Sequence, residues 1–519
     1  MAGAGGTTPY RPSTTGCVSS PDTGSDGSPR VVKVDVTKEI GTIRPLFGAH
    51  HDPGAAGQAL NKTYADMGID MMRTHDAVFG GSPGAGDIDG AQGRSGVMFP
   101  KWDADPSLEA SYNFGTTDKV IQNFRALGAE VFFRVGRSAE GGNLTGGTYT
   151  NNYVPADADK YAQIVKHVVM HYNQGWASGF KYGIRYFEIW NEPDFVPFWA
   201  GTAQQYYELY AKVAVAIKSV DSSLLVGGPA NMSFNDVAGM RGLLIKYVKD
   251  NNLPLDFYSF HRYTNSSNDP FDFVRVAQSF RDELDKAGFD HALLVNSEWE
   301  GSLVPTDPII GGDAGTAAFS AEGLIYMQDA ALDRAASYMN ISATPSKENH
   351  AFQMVSSLKA TPTRLSVQGC SDQGFAVLAG RSGTAKELRV VIANYKISPT
   401  LMGPISGGNE YAIQTSAGKT LANFTLLDRR TISYPKREGY ALSVVNVPKE
   451  WGDVSVEQYR IDANNDMKLM TTVVSKAADR SDATVKVSGS WVHAAANPPQ
   501  DPDGVDQGVD LIVLKGSAQ

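Results

Sequence analysis

From Arg44 onward one order recurs along the chain: a short apolar run, a polar loop, then an amphipathic helix. Eight such runs can be read: RPLFGAHHD from Arg44, DMMRTHD from Asp70, EVFFRVG from Glu130, RYFEIWNEPD from Arg185, LLVGGPA from Leu224, DFYSFHRY from Asp256, HALLVNSEWE from His291 and ASYMNIS from Ala336. Between them lie patterns such as DADKYAQIVKHVVMHY from Asp157, TAQQYYELYAKVAVAIKSV from Thr202 and FVRVAQSFRDELDKAGF from Phe273, each with an apolar stripe at i, i+3 and i+4. Alternating strands and helices predict a parallel sheet, and eight pairs predict an α/β fold closed as a (β/α)8 TIM barrel. Polar and aromatic residues gather at the C-terminal ends of these runs, the face on which barrel enzymes carry their chemistry.

Past about Arg364 the period changes. GFAVLAG, LRVVIANY, YALSVVNV, VSVEQYRI, ATVKVSG and VDLIVLKG alternate over short lengths with turn residues between them, the pattern of a β-sandwich. VVKVDV, from Val31, alternates in the same way ahead of the barrel and is predicted to join that sandwich. The expected division is a disordered leader over 1–30, a strand segment over 31–43, the catalytic barrel over 44–363 and the sandwich over 364–519.

The composition narrows the partners. Hydrophobic residues make up 42% and charged residues 20% of the 519, a globular balance. A net charge of −10 without a run of Lys and Arg speaks against nucleic acid, and no stretch of about 18 apolar residues is present to span a membrane. A neutral substrate suits the chain better. Cys17 and Cys370 are the only cysteines, too few for a disulfide framework. The leader has no apolar signal core, yet its Ser, Thr and Gly content resembles the tether that follows a removed export signal, so a secreted or periplasmic location is expected.

Two of the runs end in glutamates. The fourth closes with Trp190-Asn191-Glu192-Pro193-Asp194 and the seventh with Asn296-Ser297-Glu298-Trp299-Glu300. Hydrolysis of a glycosidic bond with retention needs an acid to protonate the leaving oxygen and a carboxylate to attack the anomeric carbon, about 5 to 5.5 Å apart. Strands on facing sides of a barrel mouth can supply both. Glu192 is read as general acid/base and Glu298 as nucleophile. Glu300, two residues on, shares the strand face of Glu298 but is expected to lie already in the loop, leaving it the weaker candidate.

YFEIWNEPD, Tyr186 to Asp194, resembles the acid/base motif of glycoside hydrolase family 39, a member of the clan A barrel hydrolases that holds β-xylosidases and α-L-iduronidases. The resemblance implies an acid/base glutamate after an asparagine at the end of strand four and a nucleophile glutamate ending strand seven, the positions of Glu192 and Glu298. RTHD (Arg73 to Asp76) is similar to the clan's nucleophile-steadying arginine on strand two, and HRY (His261 to Tyr263) falls on strand six. It runs from about Val31 to the C-terminus. Asn191 would contact the sugar's 2-hydroxyl. Arg73, His51, His75, His261 and Tyr263 are expected to bind substrate. Singly, each could be a satisfied core polar group; together at the strand ends of one barrel they favour a site. Trp299, with Trp190, Trp199 and Phe195, is expected to offer apolar platforms to sugar faces. The loop from Ala77 to Tyr112 is long enough to wall a pocket.

Other chemistry is set aside. His167 and His171 are four apart on a helix, but Val168 stands where a zinc protease needs glutamate, and both are read as surface residues. GDIDG from Gly86 and DPDG from Asp501 lack a full calcium loop, and no cofactor or catalytic metal is expected. The expected function is a retaining, β-xylosidase-like glycosidase. α-L-Iduronidase, α-L-arabinofuranosidase and endo-polysaccharide hydrolase compete within the class, and a catalytically silent carbohydrate-binding barrel competes from outside it.

Overall fold

The computed structural model describes residues 8–12, 16–18, 28–74, 88, 97–137, 152–195, 198–232, 240–264, 269–301, 312–397, 413–414, 420–421, 439–480, 482–492 and 507–517. Ahead of the barrel stand β1 (Cys17–Val18) and β2 (Arg30–Thr42). Each of the eight apolar runs then falls on one strand of a closed parallel barrel, the last strand beginning two residues ahead of its run: β3 (Gly48–Ala49), β4 (Met71–Arg73), β5 (Glu130–Val135), β6 (Tyr186–Ile189), β7 (Leu225–Asn231), β8 (Phe257–Tyr263), β9 (Leu293–Glu300) and β10 (Arg334–Ser337). The connecting helices are α1 (Ala59–Asp66), α2 (Gly115–Ala126), α3 (Ala158–Asn173), α4 (Ala203–Val220), α5 (Met240–Asp250), α6 (Asp272–Ala287), α7 (Gly312–Met327) and α8 (Lys347–Ser356). Among the described residues, no helix is long and apolar enough to cross a membrane.

Strand alternation sorts the barrel interior into layers. Met71, Phe132, Tyr186, Leu225, Phe257, Leu293, Val295 and Ala336 form an apolar cluster. Two residues further along their strands come Arg73, Arg134, Glu188 and Ser259, all wholly buried. The floor of the barrel is therefore apolar, and the layer beneath its mouth is charged.

The second region contains β11 (Thr363–Gln368), β12 (Phe375–Arg381), β13 (Glu387–Asn394), the short pair β14 (Ile413–Gln414) and β15 (Thr420–Leu421), β16 (Tyr440–Val445), β17 (Val454–Ile461), β18 (Lys468–Ser475), β19 (Val485–Gly489) and β20 (Gly508–Gly516). Ten strands join in the order β18-β17-β20-β13-β12-β11-β2-β16-β19, with β1 pairing β11 off that path. The sheet folds over on itself: the Tyr440 hydroxyl on β16 donates to Asp510 on β20 at 2.6 Å, and Val34, Leu442, Val390, Val456 and Ile512 share one core. β2 runs parallel to β16 and antiparallel to β11, so the segment ahead of the barrel is an interior strand of this sheet. The opposite face, through Ala376, Leu378, Val391 and Val513, merges with the core of the barrel's helical layer. α7, buried along nearly its whole length, lies between the two.

Three expectations are corrected. The leader is not disordered throughout: Tyr10 donates its backbone N–H to Asp333 and lies under the Arg44 guanidinium, and β1 adds to β11. Backbone pairing of this kind needs no apolar pattern, so composition conceals it. Glu300 is the last residue of β9, opposite Tyr263, rather than a loop residue. His171 is buried, bonded to Asp118 and the Trp176 carbonyl, because α3 turns it beneath the ring of Phe114.

Candidate active site

Glu298 reaches the barrel interior because β9 carries a bulge. Leu293 and Val295 point inward, so unbroken alternation would send Glu298 out toward the helices. The register with β8 slips between Phe260 and His261, which pair with Asn296 and Glu298, leaving Ser297 as the extra residue. That insertion resets the phase. The Asn296 amide, turned to donate, bridges the Glu298 carbonyl at 2.7 Å and the Phe260 carbonyl at 3.2 Å. His50 Nε2 lies 2.8 Å from the Ser297 carbonyl.

Glu192 is fixed from the facing side, just past β6. Its N–H donates to the Ala230 carbonyl at 3.1 Å, and Ala230 in turn donates to the Ser259 hydroxyl. Trp190, Glu192, Ala230 and His51 all have positive φ, at 74, 42, 56 and 67°. Such backbone costs about 1–3 kcal/mol per residue outside glycine and gathers where geometry serves a site.

Arg73, wholly buried, holds three acceptors at once: Nε donates to Glu188 at 2.6 Å, Nη1 to Glu298 Oε1 at 2.7 Å and Nη2 to Asn191 Oδ1 at 2.7 Å. Burial alone would lower the arginine pKa; Glu188, then Glu298, outweigh it and hold the guanidinium above its ordinary value. Tyr263 donates to the other oxygen of Glu298 at 2.8 Å. Burial, then the charge of Glu298, pushes its phenol well above the ordinary tyrosine value, so it remains a donor. His261 Nδ1 lies 2.6 Å from Glu192 Oε1 and 3.4 Å from Glu298 Oε2. A carboxylate oxygen from each of Glu192 and Glu298 and a ring nitrogen of His261 lie within 4.8 Å of one another.

Arg73, Asn191, Glu192, His261, Tyr263 and Glu298 therefore converge on one mouth. With its oxygen taken by Arg73, the Asn191 amide leaves a buried Nδ2 without a hydrogen-bond partner among the described residues. His51 stands at the rim, its ring 5.0 Å from that of Tyr338. Trp299 does not join them. One residue past Glu298 it turns outward, wholly buried against Phe273 on α6. Trp190 is likewise buried, edge-on to Trp199 at 5.0 Å, with its indole N–H on the Phe198 carbonyl. Phe195 is half-buried beside Phe198. His75, most of the 77–112 loop, and all but Ile88 of the two candidate calcium loops lie outside the described residues. Sequence reasoning missed Glu188, His50 and Tyr338. For Glu188 the signal was present, a charge inside the apolar run YFEI.

A model of glycosyl hydrolases family 39 matches residues 30–356. A β-xylosidase of Geobacillus stearothermophilus is 28% identical over 289 residues, 49% of this chain and 53% of that protein. One from Caldicellulosiruptor saccharolyticus is 30% identical over 216 residues, 38% of this chain and 42% of that protein. The chain thus spans about half the length of these relatives. The crystal structure of a glucosidase from Croceicoccus marinus superposes with a TM-score of 0.76 at 29% identity, covering 94% of this chain and 99% of that one.

Proposed function

Since the chain belongs to glycosyl hydrolases family 39, we propose that it hydrolyses O-glycosidic bonds of oligo- or polysaccharides by double displacement, in the manner of a β-xylosidase. One observation carries this reading: Glu192 and Glu298 present carboxylate oxygens within 4.8 Å of each other, the short spacing of a retaining pair rather than the 6.5–9.5 Å of an inverting one. Glu298 attacks the anomeric carbon while Glu192 gives its proton to the departing oxygen. With Nδ1 protonated, His261 donates to Glu192 Oε1 and leaves Oε2 to carry that proton. Arg73 and Tyr263 hold both oxygens of the nucleophile, and Asn191 Nδ2, without a partner among the described residues, donates to the sugar's 2-hydroxyl. Glu192 then takes a proton from water, which displaces Glu298 with net retention.

β-Xylosidase relatives favour a β-xyloside over an α-L-iduronide, an arabinofuranoside or an endo substrate, and a complete acid, nucleophile and arginine set disfavours a silent barrel. A β-glucoside is the second reading, supported by the glucosidase that covers nearly the whole chain. Aryl β-xyloside, β-glucoside, β-galactoside, α-L-arabinofuranoside and α-L-arabinopyranoside should separate these. A 2-deoxy-2-fluoro glycoside of the preferred sugar should leave an ester on Glu298. A label on Glu300, or an inverted product, defeats the mechanism.

The protein is further proposed to act outside the cytoplasm, because Cys370 is disulfide-bonded and such bonds persist in oxidising compartments. Denatured without reductant, the chain should then show no titratable thiol.

A further inference from the structure

Glu188 is an expensive residue for a barrel to carry. It is wholly buried, one oxygen binds Arg73 at 2.6 Å, and the other has no hydrogen-bond partner among the described residues. A buried ion pair often adds nothing over apolar residues of the same volume, so stability alone does not account for a carboxylate here. Its place relative to the nucleophile does. Arg73 meets Glu188 through Nε and Nη2, Glu298 through Nη1 and Asn191 through Nη2, so Glu188 is joined to the nucleophile through that guanidinium.

Resting on the glycosidase reading, we propose that Glu188 is a positioning residue: it anchors Arg73 from below and draws off part of its charge. Two consequences follow. The contacts of Nε and Nη2 with Glu188 fix the guanidinium plane, which directs Nη1 to Glu298 and keeps Nη2 in reach of Asn191. A guanidinium divided between two carboxylates also keeps Glu298 ionised without binding it so strongly that it loses basicity as a nucleophile. When Glu298 becomes an ester, Glu188 remains to balance the buried Arg73. The other charged or titratable groups around the pair include Glu192 just past β6, Tyr206 on α4, His50 at β3, Arg134 as the register partner of Glu188 on β5, His261 and Tyr263 on β8, and Tyr338 past β10. Only one unit of charge among them changes when Glu188 becomes glutamine.

The test compares Glu188→Gln with Glu188→Asp in the full chain, reading kcat/KM against pH on the best aryl glycoside. Glu188→Gln leaves the charge of Arg73 to Glu298, so the acid limb should move down by about 1 pH unit, with kcat reduced about tenfold. Glu188→Asp keeps the charge but shortens the reach; its acid limb should stay with the wild type while kcat falls. An unmoved limb in Glu188→Gln, or the same displacement in both, overturns the positioning role and leaves the glycosidase reading intact. Should Glu188→Gln fail to fold, a displaced limb in Glu188→Asp overturns it alone. A wild type inert on every glycoside overturns both readings.

Discussion

Tyr263 and Arg73 grip opposite oxygens of Glu298, the phenol on Oε2 at 2.8 Å and the guanidinium on Oε1 at 2.7 Å. A hydrogen bond to a charged group is worth about 1.5–3 kcal/mol, so Tyr263→Phe should lower kcat/KM roughly 10- to 100-fold. Loss of a donor to the carboxylate should also move the acid limb upward, opposite in sign to Glu188→Gln. Steady-state rates across pH would check both; a change under twofold would mean the phenol only packs.

Glu192→Gln should act selectively. General acid catalysis supplies about 10²–10⁴-fold, and only leaving groups of high pKa need it. On an alkyl glycoside or a disaccharide, kcat/KM should fall by that range, whereas on a dinitrophenyl glycoside it should change far less. Equal losses on both substrates would remove Glu192 from the acid role.

Truncation after 363 should yield insoluble protein. The described part of α7 is buried on nearly every side, by the barrel and by the sheet that holds β12, β13 and β20, so removing the sheet bares the apolar side chains of one long face. A soluble, active chain ending at 363 would show that the barrel core closes without the second region.

Much of this site could be read without coordinates, for a physical reason: Arg73, Glu192, His261 and Glu298 are polar residues ending apolar runs, a pattern that costs stability unless the strand ends meet. What could not be read was phase. Counting by two from Leu293 and Val295 puts Glu298 among the helices, and only the unpaired Ser297 turns it inward; the same shift carries Trp299 away from any sugar. β18 escaped for a different reason. KLMTTVVS is exposed on both faces, so no alternation marks it.

Two residues past Glu298, the buried Glu300 forms a carboxyl pair with the half-buried Glu348. Glu300 also takes the backbone N–H of Gly301 at 2.7 Å, and Glu348 takes the Ser320 hydroxyl at 2.6 Å. Burial, then the charge of Glu348, pushes Glu300 well above the ordinary carboxylate value, and burial raises Glu348 too. A raised acid favours the folded state while it keeps its proton. Its contribution is therefore full below the unfolded value, about 4.3, and is lost as pH rises through the folded one. Glu348→Gln should lessen that loss, because it takes away the neighbouring charge while the burial of Glu300 remains, and the amide donates to Glu300 without needing a proton and can still accept from Ser320. Melting temperatures of the two chains should agree near pH 4, and by pH 8 the variant should stand higher by about 2 °C. If wild type and variant lose stability in parallel between those pH values, the pair shares no proton. If instead the wild type alone loses stability, its activity should fall over the same alkaline range, since opening this pair loosens the end of β9 that aims Glu298.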